Sequence, residues 1–204
     1  MTVETDWRHY DPAALPRVLA AALEAFADQG YHGTSIRDIA AEAGLSVPGL
    51  YHHYRSKQDI LMDLMMSVME ELLARSRMAL QDADPSAEAQ FDALVESLLR
   101  FHMFRRKQAF VASSEIRSLA PENRTAYVAL RDEQQRMIEA VIARGRSEGA
   151  FATPFPQDAA RAVSTLCVGV ASWYREDGAL TPREIVERHL ALAHGLVAAR
   201  PAAP

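Results

Sequence analysis

Between Gly44 and Gln58 the chain sets Ser46, Val47, Pro48, Gly49, Tyr51 and His52 on what would be one short exposed helix, with Lys57 just beyond. These residue types suit contact with nucleic acid rather than bond-making chemistry. Ser, Pro and Gly keep the start of the helix narrow enough to approach base edges. Tyr51, His52 and Lys57 offer hydrogen-bond donors to phosphate oxygens. The stretch holds two basic residues and no acid, although residues 1–60 carry five basic residues against eight acidic ones. Positive potential is thereby confined to a reading edge, as a protein making a few phosphate contacts per subunit requires. Other chemistries lack their residues. There is no Ser/His/Asp order, no His-rich metal spacing and no Gly-rich phosphate loop, so no enzyme, metal site or cofactor is expected. Adjacent helical residues point about 100° apart, so His52 and His53 are poorly placed to chelate one ion. One is expected to face DNA and the other to pack under the turn, with Tyr54 in the core.

Those residues need elements to hold them, and the sequence punctuates the elements clearly. Asp11-Pro12 reads as a cap followed by proline in a first helical turn, and Leu15, Val18, Leu19, Ala22, Leu23 and Phe26 form one apolar face. Gly30 closes that helix. Thr34 and Ser35 open a second short helix, with Ser35 and Asp38 spaced as a capping box, and both join the candidate DNA-contacting set. It stops at Gly44. Ser46 caps a third helix ending near His53, and Ser56 caps a long fourth. Two short helices around a glycine turn have the spacing of a helix-turn-helix, whose second helix fits a major groove about 12 Å wide. Asp84-Pro85 marks the next strong break. Helices are expected at 87–105, 108–118, 122–148, 157–176 and 182–198, and no segment alternates like a strand. The expectation is all-α: a three-helix DNA-binding domain at 1–56, then a larger ligand-binding and dimerisation bundle at 57–204.

The 28 residues from Thr34 to Leu61 resemble the TetR family of bacterial transcriptional regulators. Ser35-Ile-Arg-Asp-Ile-Ala-Ala-Glu-Ala-Gly-Leu-Ser46 follows that family's first block, with Ser35 at its Thr position and Leu45 where Val is commoner. Pro48-Gly-Leu-Tyr-His-His-Tyr-Arg-Ser-Lys57 follows its second, with Pro48 at a Gly position and Tyr54 replacing Phe. The specific likeness covers residues 12–62. It implies nine or ten helices, a homodimer and a ligand-gated repressor. The stretch Trp173-Tyr-Arg175 through Leu180-Thr-Pro182 is also similar to the subgroup that senses acyl-CoA thioesters.

For such an effector the candidate residues are Met66, Met69, Phe101, Phe104, Met137 and Trp173, with Arg105 for an anionic head group. An acyl-CoA thioester is the first choice, and a planar hydrophobic acid or drug-like compound the second. Arg105-Arg106-Lys107 also fits a solvated cluster at a helix end. Dimerisation is expected through Val163, Leu166 and Val170 on one helix and Ile185, Leu192 and Leu196 on the next. A regulator without a small-molecule ligand, controlled by a protein partner or by concentration, is the alternative.

Composition sets the bounds. The 204 residues carry a formal charge of −5, which argues against a chain coated in nucleic acid but leaves room for a local reading surface. Of the 22 basic residues 20 are Arg. The single Cys167 excludes an internal disulfide and fits a reducing compartment. No apolar run approaches the roughly 18 to 20 residues a membrane span needs, and the acidic N-terminal stretch lacks a signal-peptide pattern. A soluble cytoplasmic protein is expected, with double-stranded operator DNA, a small effector and a second copy of itself as partners.

Overall fold

The computed structural model describes residues 6–11 and 15–198. Nine α-helices and one 3₁₀ turn follow one another among them, with no β-strand: α1 Arg17–Gly33, α2 Ile36–Glu42, α3 Val47–Tyr51, α4 Lys57–Asp82, α5 Ala87–Phe104, α6 Arg106–Ser114, the 3₁₀ turn Glu115–Ser118, α7 Pro121–Glu148, α8 Pro156–Trp173 and α9 Pro182–Leu196. The all-α expectation holds, helix by helix. Two compact units result, and they do not follow a linear division at residue 57. A reading unit comprises residues 11–71 and 105–130; a bundle unit comprises the described parts of residues 1–10, 72–104 and 131–204. Of these helices, α4 and α7 each contribute to both.

In the reading unit α1 starts later than its sequence signals suggest. Pro16 occupies the cap position without a side-chain cap, Asp11 lies outside the helix, and Pro12 falls outside the described residues. Val18, Leu19, Ala22, Leu23 and Phe26 form the buried face as expected. Gly30 breaks the helix at φ 70° and ψ 165°, and a last turn resumes to Gly33. Capping boxes fix α2 at Ser35–Asp38 and α9 at Thr181–Glu184. Between α2 and α3, Gly44 takes φ 60°, and a Cβ there would lie 2.3 Å from Arg17 Nη2. Only glycine suits that turn. The amide of Leu45 donates to Ala40 O at 2.8 Å, closing α2. Farther along, Gln58 on α4 receives the amide of Ala120 and donates to Ser118 O, holding residues 118–120 in place.

In the bundle unit α5 packs on both α8 and α9, which pack on each other. Phe91, Leu94, Leu99 and Phe101 of α5 are buried in this unit, as are Val163, Cys167, Val170 and Ile185, all essentially without exposure. Burial pushes the Cys167 thiol up to about 12, so it is an inert packing group. An N-terminal strap completes the unit. Trp7 is buried and donates its indole N–H to Asp82 at 3.1 Å, while buried Arg75 donates to Trp7 O and His9 O at 3.0 and 2.9 Å. The same guanidinium lies 3.8 Å from the centre of the Tyr10 ring.

His102, buried on α5, sets an acid limit on this core. Its Nδ1 lies 2.7 Å from Leu98 O, yet burial dominates and lowers its pKa from 6.5 to about 4. The unfolded chain therefore takes up this proton first as pH falls. Stability is lost between pH 6.5 and about pH 4, by up to about 3 kcal/mol. His194 acts in the opposite sense. Its hydrogen bond with Asp92 raises its pKa, so its contribution is complete below the ordinary histidine value and fades as pH rises through the raised one. His102→Leu should lose less stability than the parent between pH 7 and pH 5. Urea unfolding at both values measures this, and equal losses would show that the buried imidazole does not control the acid limb.

Candidate nucleic-acid interface

The candidate recognition helix α3 has five residues, and its start is fixed by Ser46, whose Oγ accepts the Gly49 amide at 3.1 Å. Leu50 is completely buried and anchors the helix. Ser46, Pro48, Tyr51 and His52 are exposed together, with Val47 and Gly49 half-buried between them. Tyr51 stands out at 49% exposure, its hydroxyl available for a phosphate. A Cβ on Gly49 would meet Ser46 Oγ at 3.1 Å, so a larger residue there crowds the cap. Six of the nine expected contact residues thus share one short exposed element. Ser35 is exposed at the start of α2, its hydroxyl taken up by the capping box.

Two residues have different surroundings from those expected. Thr34 is 2% exposed, and its hydroxyl, which the carbonyls of Gly30 and Ala25 flank at 2.8 and 3.1 Å, points into the unit. Lys57 is half-buried: its Nζ donates to Tyr31 O and Thr34 O at 2.6 Å each and lies 4.2 Å from the centre of the Tyr31 ring. Those carbonyls end a helix that Gly30 has already interrupted, which is where a cation is favoured. Lys57 is first a clasp. The two partners lie 26 and 23 residues away in sequence, so no local spacing announces it.

Neighbouring expectations shift as well. His53 is exposed like His52 rather than packed under the turn. Tyr54 is half-buried and donates its hydroxyl to Asp63 at 2.6 Å; burial first, then that bond, raises its pKa, so the phenol stays protonated. His53 and Tyr54, with Pro16, Arg17, Val18, Leu45 and Asp63, line an open surface cavity of about 470 Å³ beside the turn. Exposed cations that the motif did not single out are Arg37 on α2 and Arg55 before α4, together with Arg17 at the start of α1.

The effector candidates divide between the units. Phe101 is buried in the bundle unit; Phe104 meets a tilted Tyr10 ring at 5.1 Å and Tyr174 edge-on at 6.5 Å; Met137 is half-buried. Trp173 is 49% exposed and stacks on His189 at 5.7 Å, at the outer surface of α8 and α9. In the reading unit Met69 is buried and Met66 half-buried. Arg105 is no solvated cation there: it is 7% exposed and its Nε sits 3.2 Å from both carboxylate oxygens of Glu71. Lys107 pairs with Glu24. The expected dimer face also rotates. Val163, Val170 and Ile185 are interior, whereas Val168, Trp173, Leu192 and Leu196 are the exposed large apolar residues of these helices.

Replacing Lys57 by Ala should lower the melting temperature by several degrees, because a charge-assisted pair of hydrogen bonds worth about 1.5–3 kcal/mol is lost. The salt slope of operator binding should change little. A stable variant whose slope falls by about one would instead make Lys57 a phosphate ligand.

Comparison with known proteins agrees with this geometry. Residues 18–64 match the family described as bacterial regulatory proteins, tetR family, and residues 84–197 match the tetracyclin repressor-like C-terminal domain. The HTH-type transcriptional repressor KstR2 of Mycobacterium tuberculosis is 32% identical over 182 residues, covering 87% of this chain and 88% of that one. A crystal structure of a tetR-family regulatory protein from Rhodococcus RHA1 superposes with a TM-score of 0.85 at 28% identity, covering 94% of this chain and all of the other. AibR, solved in complex with isovaleryl coenzyme A and operator DNA, shares the fold at a TM-score of 0.80 and 22% identity, with 91% and 100% covered. The chain belongs to the TetR family of bacterial transcriptional regulators, DNA-binding proteins rather than enzymes.

Proposed function

We propose that the protein is a homodimeric repressor that reads a palindromic operator with α3 and is released from it by a largely apolar effector, an acyl-CoA thioester being the first choice. The observation that carries the DNA reading is the capped α3 itself, with Ser46, Pro48, Tyr51 and His52 exposed on an anchor that Leu50 buries. Phosphate contacts are assigned to Tyr51 and His52, with Ser35 at the start of α2 beside them. Base readout falls to Ser46, Val47, Pro48 and Gly49. In a dimer two copies of α3 would lie about 34–36 Å apart, one helical turn of DNA.

The dimer face we assign is the exposed apolar surface of α8 and α9: Val168, Trp173, Leu192 and Leu196. Gly169 and Gly195 have open space where a side chain would stand, which allows close helix approach. For the effector, support comes from Phe101, Phe104 and Met137 in the bundle unit and from the isovaleryl coenzyme A bound by AibR. The ligand acts only through unequal affinity for two dimer geometries. Fluorescence polarisation with operator DNA tests release: binding that no acyl-CoA weakens, at any chain length, would leave a regulator controlled by concentration or a protein partner.

Leu192→Glu should give a folded monomer with weak operator binding, since a carboxylate buried against an apolar partner costs several kcal/mol. Val170→Glu should unfold the bundle unit instead, its site being wholly internal. Sedimentation and circular dichroism distinguish these outcomes; an intact Leu192→Glu dimer would remove α9 from the interface. Tyr51→Phe should weaken operator binding about three- to tenfold, one hydrogen bond's worth, at an unchanged melting temperature. Unchanged affinity would take the Tyr51 hydroxyl off the contact surface.

A further inference from the structure

The bundle unit buries three neutral polar side chains from three helices and satisfies them poorly. Ser76 on α4 and Ser97 on α5 have no exposure, and Gln134 on α7 has 6%. Ser76 Oγ donates to Gln134 Oε1 at 3.1 Å. That is the only hydrogen bond in the group: Gln134 Nε2 and Ser97 Oγ, both buried, have no partner. Exchanging the amide's oxygen and nitrogen changes the roles and still leaves one end unpaired.

Helix register relates Ser97 to this pair. α4 ends at Asp82 and α5 starts at Ala87, and two contacts tie them together across this short connection. Gln90 donates to Leu80 O at 3.3 Å, and Ala79 shares a small buried cluster with Ala93. Carried one turn farther from the connection, three residues back on α4 and four forward on α5, an antiparallel register would set Ser97 opposite Ser76. The flanking surface is apolar. Phe101 follows Ser97 by one turn, and Met137 follows Gln134 by one turn.

Buried polar groups are almost always hydrogen-bonded, and apolar residues of the same size would serve a core better than these three. Polar atoms left open at the end of an apolar surface are the arrangement a ligand site uses to fix one orientation. We propose that Ser97 and Gln134 form a neutral polar end to the effector site, which selects an apolar effector carrying one keto or hydroxyl oxygen at its buried end. This deepens the effector reading given above and rests on it. The oxygen accepts from the Gln134 amide and the Ser97 hydroxyl, while Phe101 and Met137 cover the adjoining carbons. A plain hydrocarbon end would leave both donors unpaired and is rejected.

The test uses full-length protein and matched probes: cyclohexanecarbonyl-CoA against 4-oxocyclohexanecarbonyl-CoA, and the corresponding free acids, by titration calorimetry. The ketone should bind about tenfold tighter, the worth of roughly one buried hydrogen bond. Gln134→Met and Ser97→Ala should each abolish that preference; Ser97→Ala, which removes an unpaired buried group, should leave the melting temperature equal or higher, whereas Gln134→Met also removes the acceptor of the Ser76 hydroxyl. Equal binding of both probes by the parent, a preference that survives both substitutions, or no binding by any probe overturns the proposal. So does a fall in melting temperature with the preference intact, which would mean a purely structural polar cluster. If only the free acids bind and the ketone is preferred, the thioester reading fails and the polar end stands.

Discussion

The clasp between the Lys57 amino group and the carbonyls of Tyr31 and Thr34 is the contact on which the reading unit depends. Three elements meet there. Helix α1 has just been interrupted by Gly30, the capping box of α2 starts at Ser35, and α4 starts at Lys57 itself. A helix break leaves carbonyls without amide partners, and inside a compact unit they need a donor. Thr34 adds a second tie by turning its hydroxyl onto the carbonyls of Gly30 and Ala25. With both ends of the helix-turn-helix fixed, a five-residue α3 needs only Leu50 below and Ser46 at its start to hold its direction.

Compactness does not follow chain order, and this has a physical cause. Helix α4 is 26 residues long and α7 28, each about 40 Å at 1.5 Å per residue, longer than one small unit can cover. Each therefore gives its two ends to different cores. The strap at Trp7 and Tyr10 belongs with the bundle, while α1 belongs with the reading unit. Arg75 fastens the strap with its guanidinium against two backbone carbonyls and one aromatic face.

Local signals in the sequence were legible because their causes are local. Capping boxes at Ser35 and Thr181, the turn at Gly44 and the breaks near Asp84 and Gly149 act within a few residues, and the helices match them within one to three residues at most ends. What failed to be legible depends on partners far along the chain. Lys57 reads as a phosphate contact by position and is a clasp by environment. Thr34 looks like an open helix start and is internal. Arg105, taken with its two basic neighbours, looks solvated until Glu71 is set against it. Phase is a subtler failure. On α8, Val168 and Val170 differ by two residues, about 200° of rotation, so choosing the apolar stripe that faces a neighbour requires knowing which helices lie on each side. Start signals can also mislead: Asp11 has the residue type of a cap, but the helix begins after Pro16.

The chemistry of α3 then determines where binding strength must come from. With its caps Ser46 and His52 it exposes two hydroxyls and one imidazole but no permanent cation, and the chain as a whole carries a formal charge of −5. Arg17, Arg37 and Arg55, exposed cations of the reading unit, lie off α3, so α3 itself adds little to the sequence-independent part of the affinity. In the proposed dimer the second half-site is occupied at the high effective concentration that the first contact creates, so two weak readings multiply. Operator affinity then depends on the geometry of the α8–α9 face more steeply than on any one contact of α3. This makes control by an effector inexpensive in energy: a ligand that shifts the spacing of the two helices needs to disfavour only simultaneous engagement, and a differential of a few kcal/mol between two dimer states suffices.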